Sequence, residues 1–203
     1  MSVFIKICGL TSAEAVEETV AAGADAVGFV FAKSPRQVTI DQACEIAAAI
    51  PAHVVRVAVM KHPTQAEVDA VVQGFKPDWL QTDAEDLAAL DMGQRVQPLP
   101  VFRDTPALDE GTVARAARAL FEASESGAGQ QVDWQRASRL AGMTSMMLAG
   151  GLDADNVAAA IKQVAPWGVD VSSGVESSRG IKDINKIQAF IRSVRETEAQ
   201  DAS

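Results

Sequence analysis

Histidine and cysteine are scarce in this chain, with two of each among 203 residues. His53 and His62 stand beside Pro51-Ala52 and Pro63 and at no ligand spacing to other donors, so no metal site is expected. Cys8 ends one apolar run and Cys44 lies inside a helical pattern, on the Ile40, Ile46, Ala47 side expected to be core. Free thiols are the better expectation than a disulfide. No apolar run approaches the roughly 20 residues of a membrane span. The run after Met1 is cut short by Lys6, which does not read as a signal peptide. A basic face or stripe is also missing from a chain of net charge -9, which argues against a phosphate-backbone partner. These absences leave a soluble, cytoplasmic protein, with no nucleic acid, membrane or obligate protein partner expected.

What is present is an alternation. The composition, 48% hydrophobic and 22% charged, suits a sizeable core in a single domain spanning 1–203. Strand patterns at Val3 to Cys8, Asp25 to Phe31, Val54 to Met60, Trp79 to Thr82, Val96 to Phe102, Ala119 to Glu122, Ser145 to Leu148 and Val169 to Val171 alternate with helical ones. The helices are read at Thr11 or Ser12 to Gly23, Thr39 or Asp41 to Ile50, Thr64 to Gly74, Ala84 to Leu90, Thr112 to Arg118, Asp133 to Gly142, Asp153 or Asp155 to Val164, and Ile184 to Glu198. A Gly/Ser/Gln-rich loop spans Ser124 to Gln131, and a polar tail from Thr197 is expected to fray. Eight strand-helix units require parallel pairing with right-handed crossovers and most naturally close into an α/β fold, the (β/α)8 TIM barrel, with minimal loops. An open doubly wound sheet is the alternative, but Cys8-Gly9-Leu10-Thr11 supplies only one glycine of the dinucleotide fingerprint.

In such barrels chemistry gathers at the C-terminal strand ends. Those ends carry Cys8, Arg36, Asp83, Arg103, Glu122, Gly150-Gly151, and Asp170 with Ser172-Ser173-Gly174. The two glycine- and serine-bearing loops sit where the last two units of a barrel build a phosphate site from backbone N–H groups. A short extra helix over Gly174 to Ser178 would assist them; the alternative is that these glycines only make tight turns. Strand alternation places Lys6 and Cys8 on one face. Cys8 is either a buried small hydrophobe or a reactive thiol whose thiolate Lys6 favours. Lys6 itself either tunes that thiol or pairs with a carboxylate inside the barrel.

Five segments together carry a family likeness: Lys6-Ile7-Cys8-Gly9-Leu10-Thr11, Gly23 to Phe31, Ser34-Pro35-Arg36, Leu148 to Leu152, and Val169 to Glu176. In this order and spacing, nearly end to end, the chain resembles phosphoribosylanthranilate isomerase of tryptophan biosynthesis. The resemblance implies an Amadori rearrangement of N-(5-phosphoribosyl)anthranilate to 1-(2-carboxyphenylamino)-1-deoxyribulose 5-phosphate, with no cofactor and no metal. It makes Cys8 the general base and Glu122, at the place of the family's aspartate, the general acid. Arg36 is expected to hold the anthranilate carboxylate as a guanidinium fork, and Asp170 to line the site near the sugar. Gly150, Gly151, Ser172, Ser173 and Gly174 are expected to hold the phosphate. Two positions depart from the pattern. Glu122 is one methylene longer than aspartate, and Gln81-Thr82-Asp83-Ala84 lacks the histidine of the family's Gln-Leu-His-Gly. Another phosphosugar isomerase or epimerase, or a barrel that binds a phosphorylated ligand without turnover, are the competing readings.

Overall fold

Eight parallel strands pair in chain order and the last closes on the first, in a computed structural model that describes residues 2–124 and 129–201. The strands are β1 (Phe4–Cys8), β2 (Ala26–Val30), β3 (Val55–Val59), β4 (Trp79–Asp83), β5 (Gln97–Asp104), β6 (Arg118–Ala123), β7 (Ser145–Leu148) and β8 (Gly168–Val171). The helices that follow them are α1 (Ala13–Ala21), α2 (Ile40–Ile46), α3 (Gln65–Gly74), α4 (Ala84–Leu87), α5 (Glu110–Arg115), α6 (Trp134–Ala141), α7 (Val157–Val164) and α8 (Ile184–Asp201). A hairpin of β9 (Glu176–Ser178) and β10 (Ile181–Lys182) stands between β8 and α8.

Local chemistry starts the helices where the sequence predicts. The Ser12 side chain accepts from the Ala15 N–H, and Thr39 and Thr64 form capping boxes with Gln42 and Glu67. Each such cap is worth about 1 kcal/mol. The strands' outward residues, among them Ile5, Ile7, Val27, Phe29, Phe121 and Leu148, pack against helix residues such as Val16, Val68, Leu140 and Phe190. Inward residues Ala26, Val57, Leu99, Val101, Leu120 and Met147 fill the barrel. At its N-terminal end Phe4 stacks on Trp79 and Trp167, with centroids at 5.4 and 4.6 Å, and the Arg118 guanidinium lies 4.1 Å over Trp79. This aromatic plug leaves the opposite mouth as the place for a site.

Several boundaries differ from expectation for visible reasons. Cys44 is exposed, not core. On α2 the fully buried position is Ala43, and Cys44 lies at the edge of that stripe, where its thiol donates to the Gly74 carbonyl at 3.5 Å. Helix α2 ends at Ile46 rather than Ile50, and α7 starts only at Val157 because Asp153 Oδ1 accepts from the Asp155 and Asn156 N–H groups in a turn. The short helix expected over Gly174 to Ser178 is a single 3-10 turn, Ser173–Val175, whose chain then extends into β9 and pairs with β10. Of the tail expected to fray from Thr197, the described part continues α8 to Asp201, where Thr197 is buried and Glu198 accepts from the Val3 N–H; residues 202–203 lie outside the described residues. Of the loop expected over Ser124 to Gln131, residues 125–128 lie outside the described residues.

Candidate active site

Alternation along β1 turns Lys6 and Cys8 into the barrel. Parallel register sets Lys6 opposite Asp170 of β8, and Lys6 Nζ lies 2.8 Å from Asp170 Oδ1 with the lysine fully buried. Room for this column comes from Gly28, opposite Cys8 on β2. A Cβ there would lie 3.1 Å from Cys8 Sγ and 3.3 Å from Lys6 Cε. Burial opposes the charge on Lys6, but Asp170 and Cys8 outweigh it and hold the ammonium above its ordinary range. The thiol goes the other way. Burial pushes Cys8 up, and the pull of Lys6 and Lys182 toward the thiolate only partly offsets it. Lys6 is already committed to Asp170, which is why its help is partial.

On the other side of the mouth β4, β5 and β6 each contribute an inward charged group near their ends. Arg103 Nε and Nη2 lie 2.8 and 2.6 Å from Asp83 Oδ1, and its Nη1 lies 2.7 Å from Glu122 Oε1. His62, in the loop after β3, approaches the same cluster with Nδ1 3.0 Å from Asp86 Oδ1 and Nε2 3.6 Å from Asp83 Oδ2. The hydrogen bond to the Asp86 carboxylate raises the pKa of this exposed imidazole. His62 thus meets Asp83 and Asp86 in space although it stands 24 residues from Asp86 in the chain. Arg103 and Thr82 already donate to the two carboxylates.

Between these two sides lies a cleft lined by Glu122, Gly150, Gly151, Asp170, Ser172 and Ser173. Gly150 and Gly151 turn with φ of 90° and 63°, which presents their amides outward. Among the described residues, the N–H groups of Gly150, Gly151, Ser173 and Gly174 have no hydrogen-bond partner. Gly174 holds the two loops together: a Cβ there would fall inside the Leu152 carbonyl oxygen. Ser172 Oγ in turn donates to the Cys8 carbonyl at 3.0 Å, tying the loop after β8 to the end of β1.

Arg36 is placed differently from a bare carboxylate receptor. It is buried, and its Nε and Nη2 grip Glu176 Oε1 and Oε2 at 2.6 and 3.0 Å. Lys182 Nζ, also buried, donates to Glu176 Oε1 at 2.9 Å and to the Ser172 carbonyl at 2.8 Å, and the Gly180 N–H reaches Glu176 Oε2 at 3.0 Å. Burial works against the Glu176 charge, but Arg36, Gly180 and Lys182 together hold its carboxyl at about 2. Burial pulls the Lys182 ammonium below its usual range, against the opposing pull of Glu176 and Cys8. In the sequence Glu176 stands out only within its motif and Lys182 not at all, because the Arg36 that grips Glu176 is 140 residues away from it.

The sequence profile described as N-(5'phosphoribosyl)anthranilate (PRA) isomerase matches residues 5–193. The N-(5'-phosphoribosyl)anthranilate isomerase of Streptococcus mutans is 40% identical over 194 residues, 94% of this chain and 98% of that one. The crystal structure of phosphoribosyl anthranilate isomerase from Thermus thermophilus superposes with a TM-score of 0.87 at 26% identity, covering 96% of this chain and 99% of that one. A phosphoribosyl anthranilate isomerase in complex with reduced 1-(o-carboxyphenylamino)-1-deoxyribulose 5-phosphate superposes with a TM-score of 0.83 at 29% identity, over 96% and 99%.

Proposed function

The chain belongs to the N-(5'-phosphoribosyl)anthranilate isomerase family and is an isomerase of tryptophan biosynthesis acting on that phosphorylated substrate, and we propose that Cys8 and Glu122 carry its two proton transfers. In the Amadori rearrangement the acid Glu122 gives its proton to the furanose ring oxygen. The ring C–O bond then breaks as the anilino nitrogen lone pair forms the iminium. Cys8, as thiolate, removes the proton from the adjacent sugar carbon, and the resulting enolamine ketonises to the deoxyribulose phosphate. Burial keeps most of Cys8 as thiol, so the base is the minor thiolate that Lys6 and Lys182 favour.

The observation that supports this reading is convergence. Glu122, Asp170 and the two small-residue loops line one cleft, and Ser172 links that cleft to Cys8. The unpartnered amides of Gly150, Gly151, Ser173 and Gly174 suit a phosphate dianion, with Ser172 and Ser173 beside them. Glu176 occupies one edge of the Arg36 guanidinium, so the end-on edge of Nη1 and Nη2 remains for the anthranilate carboxylate. Asp170, held by Lys6, borders the sugar. A single domain and a cytoplasmic location go with this reading. No described helix is long and apolar enough to cross a membrane.

Steady-state kinetics of two Glu122 variants test the acid. Glu122→Asp should keep much of kcat, whereas Glu122→Gln should lose about 10²- to 10⁴-fold. A Gln variant that retains most of its turnover would move the acid elsewhere, with Asp170 next in line.

A further inference from the structure

We propose that Arg103 and Asp83 are positioning residues for the reaction: Arg103 aims the Glu122 carboxyl, and Asp83 fixes Arg103 and offsets its charge. The inference rests on Glu122 being the proton donor.

The geometry is a three-strand relay. Arg103 sits on β5, directly opposite Glu122 in register, with Asp83 on the neighbouring β4. Its side edge is used twice on one oxygen of Asp83, at 2.8 and 2.6 Å, and its outer nitrogen reaches Glu122 Oε1 at 2.7 Å. A glutamate has one more rotatable bond than an aspartate. The point contact from a guanidinium held at its other end removes that freedom, fixing the longer acid in one direction.

Charge follows from the same layout. A lone arginine at 2.7 Å would hold Glu122 as carboxylate, the wrong form for a proton donor. Here one cation bridges two carboxylates, with Nε and Nη2 on Asp83 and Nη1 on Glu122. Asp83 thus offsets charge that would otherwise act on Glu122 alone, while Arg103 stands ready to stabilise the carboxylate left after transfer. Among the described residues, the other charged groups around the trio are His62 and Asp86 beside Asp83, Lys61, Glu85 and Asp109 along the groove by Arg103, and Asp170 with Lys6 across the mouth.

Opposite responses of two variants test the relay. The Glu122 carboxyl is followed by ¹³C NMR in the full-length protein and assigned by the resonance lost in Glu122→Gln. In Arg103→Gln its titration should move up by about one pH unit, and in Asp83→Asn it should move down. Arg103→Gln should lower kcat roughly tenfold or more with little change in KM. Arg103→Lys keeps the charge but not the second edge, so it should keep the titration near wild type and still lose kcat. Should Arg103→Gln fail to fold, Arg103→Lys and Asp83→Asn decide alone. Titrations of Arg103→Gln and Asp83→Asn that stay at the wild-type midpoint, or that move the same way in both, overturn the relay. Full turnover by Glu122→Gln would instead overturn the acid role while leaving these titration shifts in place.

Discussion

Replacing Glu176 by glutamine removes one negative charge and almost no volume, yet it should be among the costlier changes in the molecule. Glu176 is buried and accepts four hydrogen bonds, two from Arg36 and one each from Lys182 and Gly180. Its carboxyl is held at about 2 against an ordinary value of 4.5. That depression corresponds to about 3 kcal/mol of folding stability at neutral pH. Removing the charge also leaves Arg36 and Lys182 as two buried cations with no counter-charge between them, a situation that costs about 3 to 5 kcal/mol when one partner of a buried pair is deleted. For a chain of this size the loss corresponds to a fall in Tm of roughly 6 to 20 °C. The sign of the pH dependence is fixed by the depression. The stabilisation is fully present above about pH 5, because the unfolded carboxyl is ionised there too, and it is lost as pH falls through 4.5 toward 2. Urea unfolding of wild type and Glu176→Gln at several pH values isolates this, since every other titrating group is shared. The gap should be about 3 kcal/mol or more at pH 7 and should lose about half of that by pH 3. A gap within about 0.5 kcal/mol at pH 7, or one that does not narrow with acid, would refute the reasoning.

Other consequences can be checked with the same preparations. Arg36→Ala should raise KM about 10- to 100-fold through loss of the carboxylate contact, with kcat less affected; an unchanged KM would give the anthranilate carboxylate another partner. Gly174→Ala should drive the loops after β7 and β8 apart against the Leu152 carbonyl, destabilising the protein by about 1 to 3 kcal/mol and, if these loops hold the phosphate as proposed, weakening substrate binding. Lys6→Met should cost about 3 to 5 kcal/mol by leaving Asp170 buried without its cation, read by denaturant unfolding at pH 7. Iodoacetamide at pH 7 should label exposed Cys44 well before buried Cys8, and mass-spectrometric mapping that finds Cys8 modified first would contradict the raised thiol.

The barrel was legible because period-2 and helical patterns alternate eight times, and because the capping residues Ser12, Thr39, Thr64 and Asp133 mark helix starts within one residue. The strand ends were legible for the same reason: once register is assumed, Cys8, Glu122, Asp170 and the glycine loops must share a mouth. What escaped is what depends on pairing between distant residues. Nothing local says that Arg36 meets Glu176, that Lys182 folds back onto Ser172, or that Arg103 bridges Asp83 and Glu122. The two readings of Cys8 and of Lys6 stayed open on the same ground: Lys6 does pull toward the thiolate, but it is paired with Asp170 inside the barrel, and burial outweighs its pull. Cys44 failed on helix phase. A residue 100° from the centre of an apolar stripe lies at its edge, and a short helix over a barrel leaves that edge in solvent.

The central claim, that Cys8 serves as the base at this mouth, is tested most directly by the fluorescence change on consumption of N-(5'-phosphoribosyl)anthranilate by purified wild type and Cys8→Ala. The account predicts turnover by the wild type, and a Cys8→Ala protein that folds, binds the deoxyribulose phosphate product with undiminished affinity, and shows no measurable turnover. A wild type that does not consume the substrate, or a Cys8→Ala variant that keeps most of its kcat, would contradict it.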